Sequence, residues 1–194
     1  DLRGVNLAGV DFTGSDLSSA TFDENTIFSA MVNDPYGGSI QQGVNLSGTM
    51  ANLAGIVFSG TVDFRGAKLG SVDFSGTDLS AAQFDSMTEL TYDDGSGQIK
   101  GANLSGTNAV LRDISGMYDF RGVNLASVRF ENSDLSTAQF DSNTIFSALN
   151  PLNGMMAGVD LSGTNALINS IHATPVDLRG VNLAGVDFTG SDLS

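Results

Sequence analysis

Carboxylates are the side chains of this sequence most capable of chemistry, and they recur in one fixed position. The chain has 22 Asp and Glu among 194 residues, and many aspartates stand directly before a large apolar residue, as in Asp11–Phe12 and Asp73–Phe74. A pair of carboxylates can act as general acid and general base. Because this placement repeats along the chain, we interpret the carboxylates as a solvated outer face. No catalytic residue is predicted, and we do not expect an enzyme.

Two adjacent acids, Asp93 and Asp94, lie in the Gly-rich stretch YDDGSG and are weak candidates for a metal site. Calcium prefers carboxylate and carbonyl oxygens, but the alternating acid spacing of a calcium loop is missing here. We therefore favour a plain turn and leave Ca²⁺ open. A single histidine, His172, and the absence of Cys leave no set of ligands for zinc and no nucleophile–base pair. No cofactor is predicted.

Four arginines form a second recurring set. Each follows the first large apolar residue of a repeat, and the set comprises Arg3, Arg65, Arg121 and Arg179. One interpretation is a lateral contact with the acidic face of a neighbouring fibre. The other, which we favour, is a local pair with an Asp on an adjacent coil. Such a pair contributes little to stability when it is exposed.

The charge balance excludes several classes of partner. The chain has eight Lys and Arg, a formal net charge of −14 and a pI near 4.1. Nucleic-acid binding and adhesion to anionic membranes both require basic patches. We predict no nucleic-acid partner, no membrane insertion and no small-molecule substrate.

Large apolar residues return every five positions, a period that fits neither a helix nor a regular strand. A smaller residue two positions earlier shares their face in an extended segment, and a glycine two positions later supplies the freedom that a corner requires. We predict that these centres stack in buried columns while the polar residue before each faces solvent. The predicted core comprises Leu2, Leu7, Phe12, Leu17, Phe22, Leu69, Phe74, Leu79, Phe84, Leu125, Phe130, Leu135 and Phe140.

This pulse resembles the A(D/N)LxG unit of the pentapeptide-repeat family. The best matches are ANLAG at 51–55, VNLAG at 5–9 and VDFSG at 72–76. The resemblance implies an all-β fold, namely a right-handed β-solenoid in the form of a quadrilateral β-helix, here with side loops. It implies little about function, because the known roles of the family range widely.

A longer repeat lies over the short one. Similar segments begin at residues 1, 63, 119 and 177, which predicts units at 1–62, 63–118 and 119–176 and the start of a next period at 177–194. In each unit the pulse is broken by FDENTIF, FDSMTEL or FDSNTIF, and a loop rich in turn residues follows. Residues 177–194 are identical to 1–18 although the units differ from one another. We interpret the sequence as one period of a long tandem array with an overlap.

Two functions follow as hypotheses. The leading one is a structural segment of a long β-solenoid filament, extracellular or on a bacterial cell surface, which associates with itself through continuation of the chain or through end-to-end and lateral contacts. The alternative follows from the family resemblance and the charge of −14. It is an acidic protein that imitates DNA and binds a type II topoisomerase.

Overall fold

The computed structural model describes residues 1–58, 60–168, 177–189 and 191, and within them the protein is all-β. No helix occurs in these ranges, so none is available there to cross a membrane. The strands are short: β1 (Ser29–Asn33), β2 (Ser39–Gly43), β3 (Thr91–Asp93), β4 (Ile99–Gly101), β5 (Val110–Arg112), β6 (Arg129–Glu131), β7 (Ser147–Leu149) and β8 (Met156–Gly158).

Each five-residue segment is a short extended piece that ends in a tight corner. In the second segment, the amide of Ala8 donates to the side-chain oxygen of Asn6, and the amide of Val10 donates to the carbonyl of Leu7 at 2.9 Å. Gly9 closes this corner at φ +74°, a left-handed conformation that glycine adopts without a steric penalty. The Asn or Asp before each centre therefore shapes the corner that follows it.

Parallel bridges join each segment to a later segment of the chain. We call the stretch of chain from one bridged residue to its partner a pass. Bridged residues are 19–23 positions apart where no hairpin intervenes and 30–34 apart where one does. Three ladders are continuous through several passes: Asp11–Asn45–Lys68–Glu89, Asn52–Asp73–Asn103–Asn124–Ile145 and Arg129–Asp160–Asn182. A fourth set of bridges comprises Asn6–Ile27, Asp63–Gln83, Ser115–Asp134 and Leu167–Asp187. Strands β5 and β6 extend the parallel pairing at 110–112 and 129–131.

The three predicted loops are antiparallel hairpins, formed by β1–β2, β3–β4 and β7–β8. Each hairpin occupies the place of the two residues that normally make a corner. The amide of Val44 donates to the carbonyl of Phe28 at 2.8 Å, as Val10 does to Leu7 across an ordinary corner. The same closing bond joins Ala102 to Leu90 and Val159 to Phe146. Hairpins thus leave and rejoin the stack without altering the ladders beside them.

The first segment of each unit lies one ladder beyond the ladder that holds the first segment of the preceding unit. The third segment of the first unit, at Asp11, shares a ladder with Lys68 in the second segment of the next unit. Asp73 and Asn124 repeat this relation, and so do Arg129 and Asn182. Each unit therefore exceeds a whole number of passes by one segment. The hairpins consequently leave the stack at three successive corners.

The core consists of the residues at the centres of the segments. Most of the predicted core residues are buried, and the rings of Phe64 and Phe84 stack with centroids 5.6 Å apart. Leu2, Phe12 and Leu17 are only half-buried. These three lie in the first pass, which has a neighbouring pass on one side only, so their outer edges remain accessible.

Candidate interaction surface

Each arginine of the predicted set is engaged by its own segment. Arg65 Nη2 lies 2.7 Å from Asp63 Oδ2, and Arg65 Nε donates to both carboxylate oxygens of the same aspartate. The hydrogen bond to Asp63 raises the pKa of the Arg65 guanidinium above its usual value. The prediction of a partner on an adjacent coil is wrong, because the partner stands two residues earlier in the same pass. The other pairs are Arg3–Asp1, Arg121–Asp119 and Arg179–Asp177.

The six-residue segments that interrupt the five-residue repeat connect two passes beside these arginines. The carboxylate of Asp85 accepts the amide of Gly66 at 3.0 Å, and the buried hydroxyl of Thr88 donates to the carbonyl of Phe64 at 3.0 Å. We call this arrangement the clamp: a segment Asp-x-Arg-Gly held by the Phe-Asp-x-x-Thr of the next pass. Equivalent bonds join Asp23 to Gly4, Thr26 to Leu2, Asp141 to Gly122 and Thr144 to Phe120. The extra residue of each break therefore has a structural function.

The base of each hairpin presses against the pass that follows. A Cβ placed on Gly101 would lie 2.3 Å from the carbonyl carbon of Gly122, and one on Gly43 would lie 2.2 Å from the amide of Ala67. Gly158 meets Gly180 and Val181 in the same way. A real side chain would require the backbone to shift at these positions, which accounts for the Gly that begins GVNLSGT, GANLSGT and GVDLSGT.

The weak metal candidates are occupied by other contacts. Asp93 accepts the amide of Gly95, and Asp94 accepts that of Ser96. Lys100 Nζ lies 2.9 Å from Asp94, and the hydrogen bonds from Ser96 and Lys100 lower the pKa of the Asp94 carboxyl well below its ordinary value. A calcium ion would compete with this ammonium. Within the described ranges, no three His, Cys, Asp or Glu side chains gather into a metal site. His172 lies outside the described residues.

Tyr118 is a core residue that the sequence pattern missed. It does not stand at the centre of a five-residue segment, yet it is buried, its ring centroid lies 4.8 Å from that of Phe120, and its hydroxyl donates to the carbonyl of Thr88. Burial raises the pKa of its phenol. Tyr118 stands two residues before Phe120, where Val62 stands before Phe64. The position two residues before a centre faces inward, and this position could have identified Tyr118 as a core residue. The sequence pattern missed Tyr118 because a small residue usually stands there.

The outward ladders obey a charge rule that sequence reasoning also missed. We call two residues joined by a parallel bridge a rung. Among the described residues, no rung joins two carboxylates. Asn45 donates to Asp11 at 2.9 Å, Asn103 donates to Asp73 at 3.0 Å, and Lys68 Nζ lies 2.8 Å from Glu89. Adjacent strands are about 4.8 Å apart, so a rung of two acids would be repulsive.

The hairpins carry several exposed apolar side chains. Tyr36 is 96% exposed at the turn between β1 and β2, and Met31, Leu149 and Met155 also project into solvent. The third hairpin reaches back over earlier passes, since a Cβ placed on Gly76 would lie 3.4 Å from Leu152 Cδ2. These surfaces offer apolar and backbone contacts, without an assembled nucleophile or base.

The family model for pentapeptide repeats matches eight copies, over residues 1–25, 42–87 and 176–194. These 90 of the 194 residues thus carry pentapeptide repeats. The match agrees with the five-residue bonding pattern and with the glycine corners described above.

The solved structures similar to this chain include two of QnrB1, described as a plasmid-mediated fluoroquinolone resistance protein. The full-length structure is 19% identical, with a TM-score of 0.28, over 96% of this chain and 83% of that one. A trypsin-treated variant is 22% identical, with a TM-score of 0.25, over 96% and 81%. No match was found among curated proteins.

Proposed function

We propose that this chain is a structural repeat segment of a long filament, built as a right-handed, four-sided β-solenoid. The observation behind this proposal is the behaviour of residues 177–189. They repeat the sequence of 1–13, and they bond to the preceding pass through the ladders Arg129–Asp160–Asn182 and Leu167–Asp187. The same pattern of segments and bridges can therefore be extended pass after pass, as in other solenoids.

The surface supports a structural role in a second way. The recurring polar groups interact within the chain. Each arginine forms a salt bridge with its aspartate, and other aspartates accept hydrogen bonds from corner amides or from the residue bridged to them. A net charge of −14 keeps lateral faces apart in solution. We place the filament outside the cell or on a bacterial surface, with further copies of the same repeat as its principal partner.

A second candidate is an acidic protein that imitates DNA and binds a type II topoisomerase. The observation in its favour is the excess of 22 acidic over eight basic residues, with Asp16, Asp78 and Asp134 exposed along the chain. The hairpins argue against it, because they leave the stack at several corners and interrupt the acidic faces.

The test is a chain with two periods, made by repeating residues 1–176 and ending with 177–194. If each unit adds two and a quarter passes at about 4.8 Å each, the second period lengthens the particle by roughly 32 Å. Small-angle scattering should show that increase with an unchanged cross-section, and longer concatemers should appear as uniform threads in electron micrographs. An unchanged maximum dimension, or a thicker particle, would reject the filament. Inhibition of topoisomerase supercoiling by the single-period chain would support the second candidate instead.

A further inference from the structure

The tip of the third hairpin contains the one Asn–Gly pair of the sequence, Asn153–Gly154. Both residues are exposed, and Gly154 has φ +68°, a left-handed conformation that glycine adopts readily. Because glycine has no side chain, its main-chain nitrogen is accessible to the side chain before it. The asparagine side chain carries an amide carbon that such a nitrogen can attack. The pair therefore has the residue types for a spontaneous reaction between side chain and main chain.

The turn around this pair is closed by hydrogen bonds between its two ends. The amide of Asn150 donates to the carbonyl of Met155, and the amide of Gly154 donates to the carbonyl of Asn150, both at 2.8 Å. The Oδ1 of Asn153 accepts the amide of Met155 at 2.9 Å, which holds the side-chain amide group against the main chain of the turn. The Gly154 nitrogen can react whenever the tip opens locally, and exposed loop tips open at the lowest free-energy cost.

The same turn anchors the third hairpin on two earlier passes. A Cβ placed on Gly106 would lie 2.7 Å from Pro151 Cδ, so the proline covers that corner closely. A Cβ placed on Gly76 would lie 3.4 Å from Leu152 Cδ2, which is ordinary van der Waals contact. Both anchoring side chains belong to the turn that contains the Asn–Gly pair. A change in the length of this turn would therefore disturb the contacts of the hairpin with both corners.

We propose that Asn153 is a site of spontaneous deamidation and that the reaction releases the third hairpin from the corners it covers. The main-chain nitrogen of Gly154 attacks Cγ of Asn153, and a cyclic imide forms. The side-chain NH2 group leaves with the proton of the Gly154 nitrogen as ammonia. Water then opens the imide at either of its carbonyls, which gives aspartate or isoaspartate. The reaction needs no reactant other than water, and nothing is oxidised or reduced.

Isoaspartate changes the turn because its main chain runs through the former side chain. The turn becomes longer by one methylene group, which adds a bond of about 1.5 Å. The hydrogen bonds of Asn150 with Gly154 and Met155 cannot then both keep their geometry. Pro151 and Leu152 lie between these bonded residues, so they lift from the corners beneath them. Either product also adds one negative charge to a chain whose net charge is already −14.

Two other asparagines show what protects a residue from this reaction. Asn150 precedes Pro151, whose ring nitrogen carries no proton and cannot form the imide. Asn143 is as exposed as the proposed site, but it precedes Thr144, a β-branched residue whose side chain shields its amide. That amide also donates to the carbonyl of Asp141 at 3.1 Å within the clamp. Asn143 therefore serves as an internal control.

The first experiment follows the wild-type chain during incubation at neutral and at alkaline pH. Mass spectrometry with fragmentation should locate a gain of about 1 Da at Asn153, because OH replaces NH2. The converted fraction should rise faster at the higher pH, since the attacking nitrogen must lose its proton. Enzymatic methylation of isoaspartate should label the same position, and Asn153→Gln should abolish the label. Conversion at Asn153 no faster than at Asn143 would overturn the proposal.

The second experiment measures whether conversion releases the hairpin. Hydrogen exchange is compared between the fresh wild-type chain, the aged chain and freshly prepared Asn153→Asp, which has the added charge but a turn of normal length. In the aged chain, the amides of Asn150 and Gly154 should lose protection in proportion to the isoaspartate content. The amide of Ala102, which closes the base of the second hairpin, should keep its protection in all three samples. Unchanged protection in a largely converted chain, or an equal loss in Asn153→Asp, would contradict release through the longer turn.

Discussion

Thr88 shows how one side chain can hold two passes together. Its hydroxyl donates to the carbonyl of Phe64 and accepts the amide of Asp85 at 3.1 Å, and the residue is 1% exposed. Thr26 and Thr144 occupy the same place in the other clamps. The regular recurrence of a buried hydroxyl at an otherwise apolar column indicates that its hydrogen bonds offset the cost of burying it.

Replacing Thr88 with Val keeps the shape of the side chain and removes both bonds. The carbonyl of Phe64 and the amide of Asp85 then lack these partners, so we expect the free energy of unfolding to fall by about 1–3 kcal/mol. Chemical denaturation measures this change. Thr137→Val, at an exposed position, is the control and should shift stability by less than about 0.5 kcal/mol. Equal effects at the two sites would show that the clamp does not contribute.

Phe74 and Phe12 stand at the same place in two units but differ in burial. Phe74 is completely buried and meets the ring of Phe64 at 5.3 Å, whereas Phe12 is half-buried in the first pass. We expect Phe74→Ala to lower the free energy of unfolding by about 3–5 kcal/mol, since it leaves a cavity. Phe12→Ala should cost clearly less. Thermal denaturation of both variants measures the difference, and a larger loss at Phe12 would contradict the stacked core.

The aspartates of the corners should make stability depend on acid pH. The hydrogen bond from Thr189 lowers the pKa of Asp187 below 3.8, and Arg179 lowers that of Asp177 to about 2. A pKa lower in the folded state means that the contribution is fully present above 3.8 and is lost as the pH falls towards the folded value. The melting temperature should therefore decline between about pH 4 and pH 2.

Carboxyl NMR titration checks the origin of that decline. Thr189→Val should raise the pKa of Asp187 towards 3.8, because the hydroxyl bond from Thr189 is the largest cause of its lowering. The pKa of Asp11, in the identical segment at residues 1–18, should keep its wild-type value and serves as the internal control. An unchanged Asp187 titration would show that another contact is responsible.

At the scale of elements, the hairpins are expanded corners, so the stack should not need them. Replacing residues 91–101 with Ser-Gly restores a two-residue corner between Leu90 and Ala102, whose backbone groups already bond at 2.8 Å. We expect circular dichroism to keep the β-signal and the melting temperature to fall only slightly, through loss of the Tyr92 contact with Gly48. Deletion of Asn103 alone is the control. It breaks the in–out alternation of a segment and should destabilise the stack strongly.

The sequence predicted the segments well because their signal is local. A centre, a small inward residue and a corner glycine lie within five positions, so Phe74 and Leu125 could be placed in the core without a structure. The hairpins were harder to predict from the sequence. Their strands, such as Thr91–Asp93 and Ile99–Gly101, are too short to show alternation and resemble loops. The clamps and rungs depend on residues about twenty positions apart. Their partners follow only from the length of a pass, which the hairpins obscure.

At the scale of the whole molecule, the one-ladder advance of each unit determines where the hairpins point. The first hairpin follows Phe28, whose ring lies 5.0 Å from that of Phe64 in the column of the fourth set of bridges. The second follows Leu90 beside Glu89, and the third follows Phe146 beside Ile145, in two further ladders. A fourth unit would place its hairpin at the remaining corner. Four units are then needed before a hairpin returns to the same side.

Spin labels on the hairpin tips can test this rotation, and the chain has no cysteine to interfere. Cysteines substituted in pairs at Tyr36, Gly97 and Leu152 carry the labels. Pulsed electron paramagnetic resonance then gives the three distances between the tips. If all hairpins left the stack on one side, the three tips would lie nearly on a line, and the longest distance would equal the sum of the other two. Because they leave at successive corners, we expect the longest distance to be clearly shorter than that sum. An additive result would refute the one-ladder advance, and all three hairpins would then leave the stack on the same side.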